Sequence, residues 1–251
     1  MSGFKDHFSR QSETYANARP RYPAALFDWL ASESPDRETA WDIGCGNGQA
    51  SVGLASQFKR VVACDPSEAQ IRNAMPYPRI DYRVQAAESA TLPAASVDLL
   101  IVAQALHWFD LDAFYASAMP ALKPGALFAA WCYGISSVSP EVDAVFERLY
   151  RGPLDAFWPP ERGHIENHYA DLALPFDDSV EAPPLSLQAE WNAGQYLAYL
   201  RSWSASQRHL DATGVDAVAE ITGDLRAAFG EQRRTVRWPL TIKACRKPVG
   251  E

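Results

Sequence analysis

A chain of 251 residues can bury one substantial core, and its 47% apolar and 22% charged residues describe an ordinary globular protein. The net charge of −8 argues against a nucleic-acid binder, whose affinity rests on a basic face. Cys45, Cys64, Cys132 and Cys245 stand singly, which argues against a disulfide framework or zinc cluster and fits a reducing compartment.

Taken in chain order, the start MSGFKDHFSRQ is polar and carries no secretion core. No apolar run approaches the ~20 residues that span a bilayer. A soluble, cytoplasmic protein with no membrane partner is the expectation. From Thr39 to Trp131, short apolar runs alternate with helical stretches. The runs are Ala40–Ile43, Arg60–Cys64, Asp81–Gln85, Asp98–Ala103 and Ala126–Trp131. Strands this short and apolar on both faces suit a parallel sheet covered by helices on each side. Ser67 with Gln70 is a capping box after Pro66, Asp110 caps Leu111–Met119, and Lys123-Pro124-Gly125 reads as a turn before the fifth strand.

Beyond Tyr133 the rhythm changes. Ser139 and Pro140 open a helix with Val142, Val145, Phe146 and Leu149 on one face. Gly152–Pro184 reads as an irregular insertion, and Leu185–Trp191 as a strand. Asn192 with Gln195 caps a helix carrying Tyr196, Leu197, Leu200 and Trp203. Thr213 with Asp216 opens another, closed by Gly230, and Thr235–Cys245 alternates as a last strand. The basic residues Arg233, Arg234, Arg237, Lys243, Arg246 and Lys247 read as a solvated edge. The expected arrangement is one domain over 1–251. It comprises an N-terminal cap (1–30), a cofactor core (39–133), a lid over the substrate (134–184) and a segment completing the sheet (185–251).

The chemistry centres on Asp42-Ile43-Gly44-Cys45-Gly46-Asn47-Gly48, where the first strand gives way to a helix. Glycines are needed where the backbone turns through positive φ or a ligand approaches closely. A dinucleotide turn has the spacing G-x-G-x-x-G and presents a helix N-terminus to pyrophosphate. Here the spacing is G-x-G-x-G, and Asp42 stands beside it. A carboxylate there suits a cationic amino group better than a phosphate. Asp65 ends the next strand, where a carboxylate accepts from ribose hydroxyls, and Pro66 and Ser67 continue that edge. Ala87 and Glu88, after the third strand, frame an adenine edge. A nucleoside with an amino-acid tail and no phosphate is S-adenosyl-L-methionine (SAM).

With those residues in place, the chain resembles the class I SAM-dependent methyltransferases over nearly its whole length. The resemblance is carried by the Asp42–Gly48 turn, Asp65, the run Gln104–Phe109 and Leu122–Leu127. Within them it looks like the methyltransferase type 11 branch that includes trans-aconitate methyltransferases. Tyr15, the element Arg19-Pro20-Arg21-Tyr22-Pro23 and a Ser202-Trp203-Ser204 helix carry that likeness. The resemblance implies a Rossmann-like, doubly wound α/β sheet of seven strands with the last antiparallel. It places Gly44, Gly46 and Gly48 on the methionine part, Asp65 on the ribose, Ala87 and Glu88 on the adenine, and Gln104 beneath the sulfonium.

The fourth strand ends at Ala103, so Gln104, His107 and Trp108 fall at the crevice where such sheets bind ligands. Trp108, Trp131 or Tyr133 is expected to wall the sulfonium by cation–π attraction. His107 is a candidate base for a hydroxyl or amine acceptor; beside a carboxylate it would orient the acceptor instead. Tyr15, Arg19 and Arg21 are candidates to close over the cofactor's carboxylate. His164 and His168, four residues apart, suit a metal, but without a third ligand they read as surface residues. Trp158 and Arg162 are candidates for the acceptor pocket. The expected function is methyl transfer to a small molecule, possibly a carboxylic acid. A nicotinamide-dependent oxidoreductase and a non-catalytic SAM-binding module are the alternatives.

Overall fold

A computed structural model describes residues 20–250. Five strands form the parallel part of the sheet: β1 (Thr39–Ile43), β2 (Arg60–Asp65), β3 (Ile80–Val84), β4 (Val97–Ala103) and β5 (Leu122–Tyr133). They lie in the order β3-β2-β1-β4-β5, so the strand order reverses between β1 and β4, where ligands bind in open sheets. Three further strands follow: β6 (Asp178–Ser179), β7 (Ser186–Trp191) and β8 (Arg234–Arg246). The last of these runs antiparallel to β5, β6 and β7. The doubly wound sheet with its antiparallel last strand is as expected, with eight strands where seven were read.

Four helices belong to the sheet: α1 (Ala24–Glu33), α2 (Gln49–Leu54), α3 (Glu68–Arg72) and α4 (Leu111–Ala118). β4 shows why both faces need cover. Leu99 and Ile101 point into a core with Leu26, Leu30 and Leu54, while Leu100 and Val102 point into another with Phe114 and Phe128. Fully burying one such side chain stabilises by roughly 1.5–3 kcal/mol, so the two-sided strand is the main organiser of the sheet. Trp131 follows the same alternation. It stands with Leu127 and Ala129 on the α1 face, fully buried, and not in the ligand crevice expected for it.

The third cluster is the core of a helical cap of α5 (Pro140–Arg151), α6 (Arg162–Glu166), α7 (Ala193–Arg201), α8 (Ser204–Thr213) and α9 (Ala217–Phe229), in which α6 instead packs its buried Ile165 into the α4-side core of the sheet. α5 buries Val142, Val145, Phe146 and Leu149 on its inner face, as its spacing predicts. Asn192 and Gln195 form the reciprocal capping box of α7. Three details differ from the sequence reading. Trp203 does not continue α7 but caps α8, so Ser202-Trp203-Ser204 is a break between two helices. The cap of α9 is Asp216 alone, whose carboxylate accepts from Val218 N at 3.0 Å, while Thr213 ends α8. Lys123-Pro124-Gly125 lies inside β5 as a bulge, with Gly125 at φ +74° and the β4 register shifting between Val97 and Leu99. Among the described residues, no helix is long and apolar enough to cross a membrane.

Candidate active site

At the end of β1 the chain turns through three left-handed glycines, Gly44, Gly46 and Gly48, at φ +71°, +54° and +85°. The amides of Gly44 and Cys45 both donate to Cys64 O, at 2.8 and 3.0 Å, which pins the turn to β2. The three glycines do different things. A β-carbon at Gly44 would stand 2.7 Å from Ala105 Cβ, and one at Gly48 would strike the Tyr82 hydroxyl. One at Gly46 would meet nothing within 4 Å. That open space is the floor of a cavity of about 840 Å³ beyond the strand ends.

Asp65 anchors the next wall. Its Oδ2 accepts from Gly46 N and its Oδ1 from Ser67 N, both at 2.9 Å, so one carboxylate joins the glycine turn to the start of α3. The Ser67 hydroxyl in turn caps α3 by accepting from Gln70 N. Beyond it, Ala87 and Glu88 stand in a 3₁₀ turn (Ala87–Ser89), and Glu88 Oε1 accepts from Asp110 N at 3.1 Å. Gln104 holds φ +57°, a conformation that costs energy without a glycine. Its side-chain amide substitutes for a strand residue: Nε2 donates to Tyr133 O at 3.0 Å, and Oε1 accepts from Tyr133 N at 2.9 Å. Gln104 therefore fixes the backbone of Tyr133 at the cavity wall.

The structure thus brings Gly44, Gly46, Asp65, Pro66, Ser67, Ala87, Glu88 and Gln104 to one cavity, with His107, Trp108 and Tyr133. Gly48 and Asp42 stand behind the wall. Asp42 is wholly buried, with Oδ2 accepting from Ser51 Oγ at 2.5 Å and Oδ1 lacking a partner. Burial pushes its pKa up to about 7, outweighing the hydrogen bond from Ser51. Cys45, in the same turn, has its thiol pushed up by burial and carries no activated nucleophile. Tyr15 and Arg19 lie outside the described residues. Arg21 is exposed and does not line the cavity.

His107 is buried, 8% exposed, in the 3₁₀ turn Leu106–Trp108. Its Nδ1 lies 2.7 Å from the Tyr169 hydroxyl, and desolvation, with a smaller push from Arg162, lowers its pKa to about 3. The imidazole is therefore neutral throughout the physiological range. Trp108 is 36% exposed, its ring 4.9 Å from that of His107. Opposite stand Trp158, Glu161, Arg162 and Ile165 from the cap, with Tyr199, Ser202, Trp203 and Ser204 from the α7–α8 break. The sequence reading had placed the break inside a helix, so its cavity position was hidden, although Ser202-Trp203-Ser204 had been singled out. Tyr22 and Phe109, each within a motif already quoted, also line the cavity. His168 lies past the end of α6, bonded to Thr241, while His164 pairs with Asp171 at 2.6 Å, so the two do not share a helix face.

The sheet and the crevice at its topological switch define a doubly wound α/β enzyme with a nucleoside-type cofactor site. Comparison with known proteins makes this specific. Residues 41–130 match the methyltransferase-domain family. A protein of Dictyostelium discoideum named as a methyltransferase is 36% identical over 230 residues, spanning 90% of this chain and 87% of that one. A structure described as a type II methyltransferase from Anaeromyxobacter dehalogenans superposes with a TM-score of 0.87 at 53% identity, covering 92% of this chain and 99% of that one. A Haemonchus contortus phosphoethanolamine N-methyltransferase, solved with SAM, shares the fold at a TM-score of 0.50 and 17% identity, over 98% of this chain and 58% of that one. The chain belongs to the class I SAM-dependent methyltransferases, and its cofactor is SAM.

Proposed function

We propose that this methyltransferase acts on a small-molecule carboxylic acid, at the cavity between the strand ends and the helical cap. The observation that carries this reading is the burial of His107 at the cavity wall, with Nδ1 engaged by the Tyr169 hydroxyl, which lowers its pKa and leaves it a weak proton acceptor. SAM, when bound, supplies an electrophilic methyl group on a cationic sulfur. A carboxylate attacks it with a lone pair it already exposes, so no proton has to leave.

The cofactor residues proposed are those at one end of the cavity: Gly44 and Gly46 for the methionine part, Asp65, Pro66 and Ser67 for the ribose, Ala87 and Glu88 for the adenine. The open space over Gly46 fits a close ligand approach. Asp42 and Gly48 support the turn from behind, and Tyr15 and Arg19 keep their proposed role over the cofactor's carboxylate. Burial keeps Tyr169 protonated; in the tautomer in which its hydroxyl donates to His107 Nδ1, the Nε2–H is left to donate to an acceptor oxygen. Trp108 and Tyr133 wall the sulfonium. Residues 134–184 serve as the lid through Trp158 and Arg162, joined by the α7–α8 break. Four unpaired, buried cysteines support a reducing, cytoplasmic setting.

The test is transfer from methyl-labelled SAM to a panel of small acids, phenols and amines, followed across about pH 5 to 8. Acids should be methylated with a rate that shows no ionisation near the ordinary histidine value of about 6.5. Turnover of phenols or amines alone, rising through such an ionisation, would replace this reading with general-base transfer. SAM binding with no acceptor methylated would leave a binding module.

A further inference from the structure

Arg162 opens α6 and is the one lysine or arginine lining the cavity among the described residues. Its guanidinium lies 4.9 Å from the Trp158 ring centroid and 5.6 Å from that of Tyr150. Its Nε donates to the Tyr150 hydroxyl at 2.9 Å, and that hydroxyl donates onward to Glu166. Glu166 is also held by Arg151, at 3.6 Å. One edge of the fork is thus tied down and its plane is fixed by two aromatic faces. The two terminal amino groups make no hydrogen bond or ion pair with the described residues.

The lining acids do not compete for this cation. Asp65, Glu88 and Asp110 accept from backbone amides at the cofactor end, and Glu161 makes no ion pair with its neighbour. Beside Arg162, the Trp158 indole N–H is buried with no acceptor. Trp108, Trp158, Tyr199 and Trp203 also line this end. A fixed fork with two open donors matches the two oxygens of a carboxylate.

We propose that Arg162, positioned by Tyr150 and Trp158, is the specificity-determining anchor for the acceptor, its two terminal amino groups taking the two oxygens of the acceptor's carboxylate. The assignment rests on the carboxylic-acid reading above, and names its recognition residue. Arg162 binds the carboxylate, Tyr150 is a positioning residue, and neither touches the SAM half of the cavity.

The probes are cinnamate, fumarate and succinate, each against its neutral primary amide, titrated into the full chain with S-adenosylhomocysteine present and assayed for methylation with labelled SAM. The wild type should bind at least one acid and not its amide. Arg162→Gln should weaken that acid on the order of ten- to a hundredfold, the loss of a charge-assisted pair, with SAM affinity unchanged. Arg162→Lys should recover part of the loss. Tyr150→Phe should raise KM more than it lowers kcat, and thermal unfolding of each variant shows whether the fold is intact. Equal binding of the acids by wild type and by a folded Arg162→Gln overturns the anchor while leaving methyl transfer to acids standing. Binding of none of the acids by the wild type also overturns it. Loss of SAM binding or methyl transfer in the wild type removes the carboxylic-acid reading itself.

Discussion

Gly44 and Gly46 share a conformation and differ in surroundings, so the same substitution separates their roles. Alanine at either must adopt positive φ, at about 1–2 kcal/mol. At Gly44 it also drives a methyl group into Ala105 and Phe109, so Gly44→Ala should lower the unfolding midpoint and lose SAM binding together. At Gly46 the methyl enters open cavity. Gly46→Ala should stay within about 2 kcal/mol of wild type in denaturant unfolding while calorimetry shows SAM binding lost or much weakened. Equal SAM affinity in that variant would move the cofactor off this turn. Asp42 gives a residue-scale prediction of a different kind. An acid whose pKa is higher in the fold than in the unfolded chain holds its proton more tightly when folded. Its contribution is fully present below the unfolded value of 3.8 and is lost as pH rises through about 7. Without cofactor, the stability of the wild type relative to Asp42→Asn should therefore fall between about pH 4 and pH 7, at up to about 1.4 kcal/mol per unit, and level off above. A difference that does not change with pH would mean that Asp42 is ionised in the fold.

At the scale of elements, the best-determined junction was not singled out by sequence reading. Asp98 of β4 is wholly buried, with Oδ2 accepting from the amides of Glu38 and Thr39, at 3.1 and 2.9 Å, and Oδ1 from Lys123 Nζ at 2.6 Å. One carboxylate thereby ties the start of β1 to the bulge of β5. Asp98→Ala strips an acceptor from two amides and a cation, and should cost about 3–5 kcal/mol in urea unfolding. Asp98→Asn, which keeps one carbonyl, should cost less. Equal stability of all three would assign the junction to packing alone. Strands β1, β2, β4 and β5 were legible because a strand buried on both faces leaves an unbroken apolar run that few other structures produce. The bulge was not, since Pro124 and Gly125 are equally the residues of a turn. The α7–α8 break escaped for a related reason: Trp203 falls at helical spacing from Tyr199 and Leu200, and burial alone cannot tell a continued helix from a cap. Asp65 and the glycine turn were readable because their roles are local to strand ends. Arg162 was visible only as a candidate, because its partners Tyr150 and Glu166 lie on other turns of the cap.

Across the whole molecule, β8 is the member that binds sheet and cap into one unit. Its first half, through Pro239, pairs with β7, and its second half, from Leu240, pairs with β5. Val236 and Trp238 sit in the cap's core, Ala244 in the α1-side core of the sheet and Cys245 in the α4-side core. A single strand therefore contributes to all three clusters and runs without a break from the cap's core into the ladder with β5. Trp238 is the keystone, fully buried, edge-on to Trp191 and Tyr199 at 5.1 and 5.4 Å, and donating from Nε1 to the Tyr199 hydroxyl at 3.0 Å. Unfolding should accordingly be one transition. Tryptophan fluorescence, which reports the cap through Trp158, Trp191, Trp203 and Trp238 and the rest of the molecule through Trp29, Trp41, Trp108 and Trp131, should coincide with far-ultraviolet circular dichroism, which follows sheet and helices alike. Trp238→Ala should lower both curves together by about 3–5 kcal/mol. Saturating SAM at a hundred times its dissociation constant should raise both by about 2.7 kcal/mol. A fluorescence change preceding the loss of secondary structure would show that the cap opens on its own. The cavity would then be gated by unfolding of the cap and not by the rigid wall that Arg162 and Gln104 require.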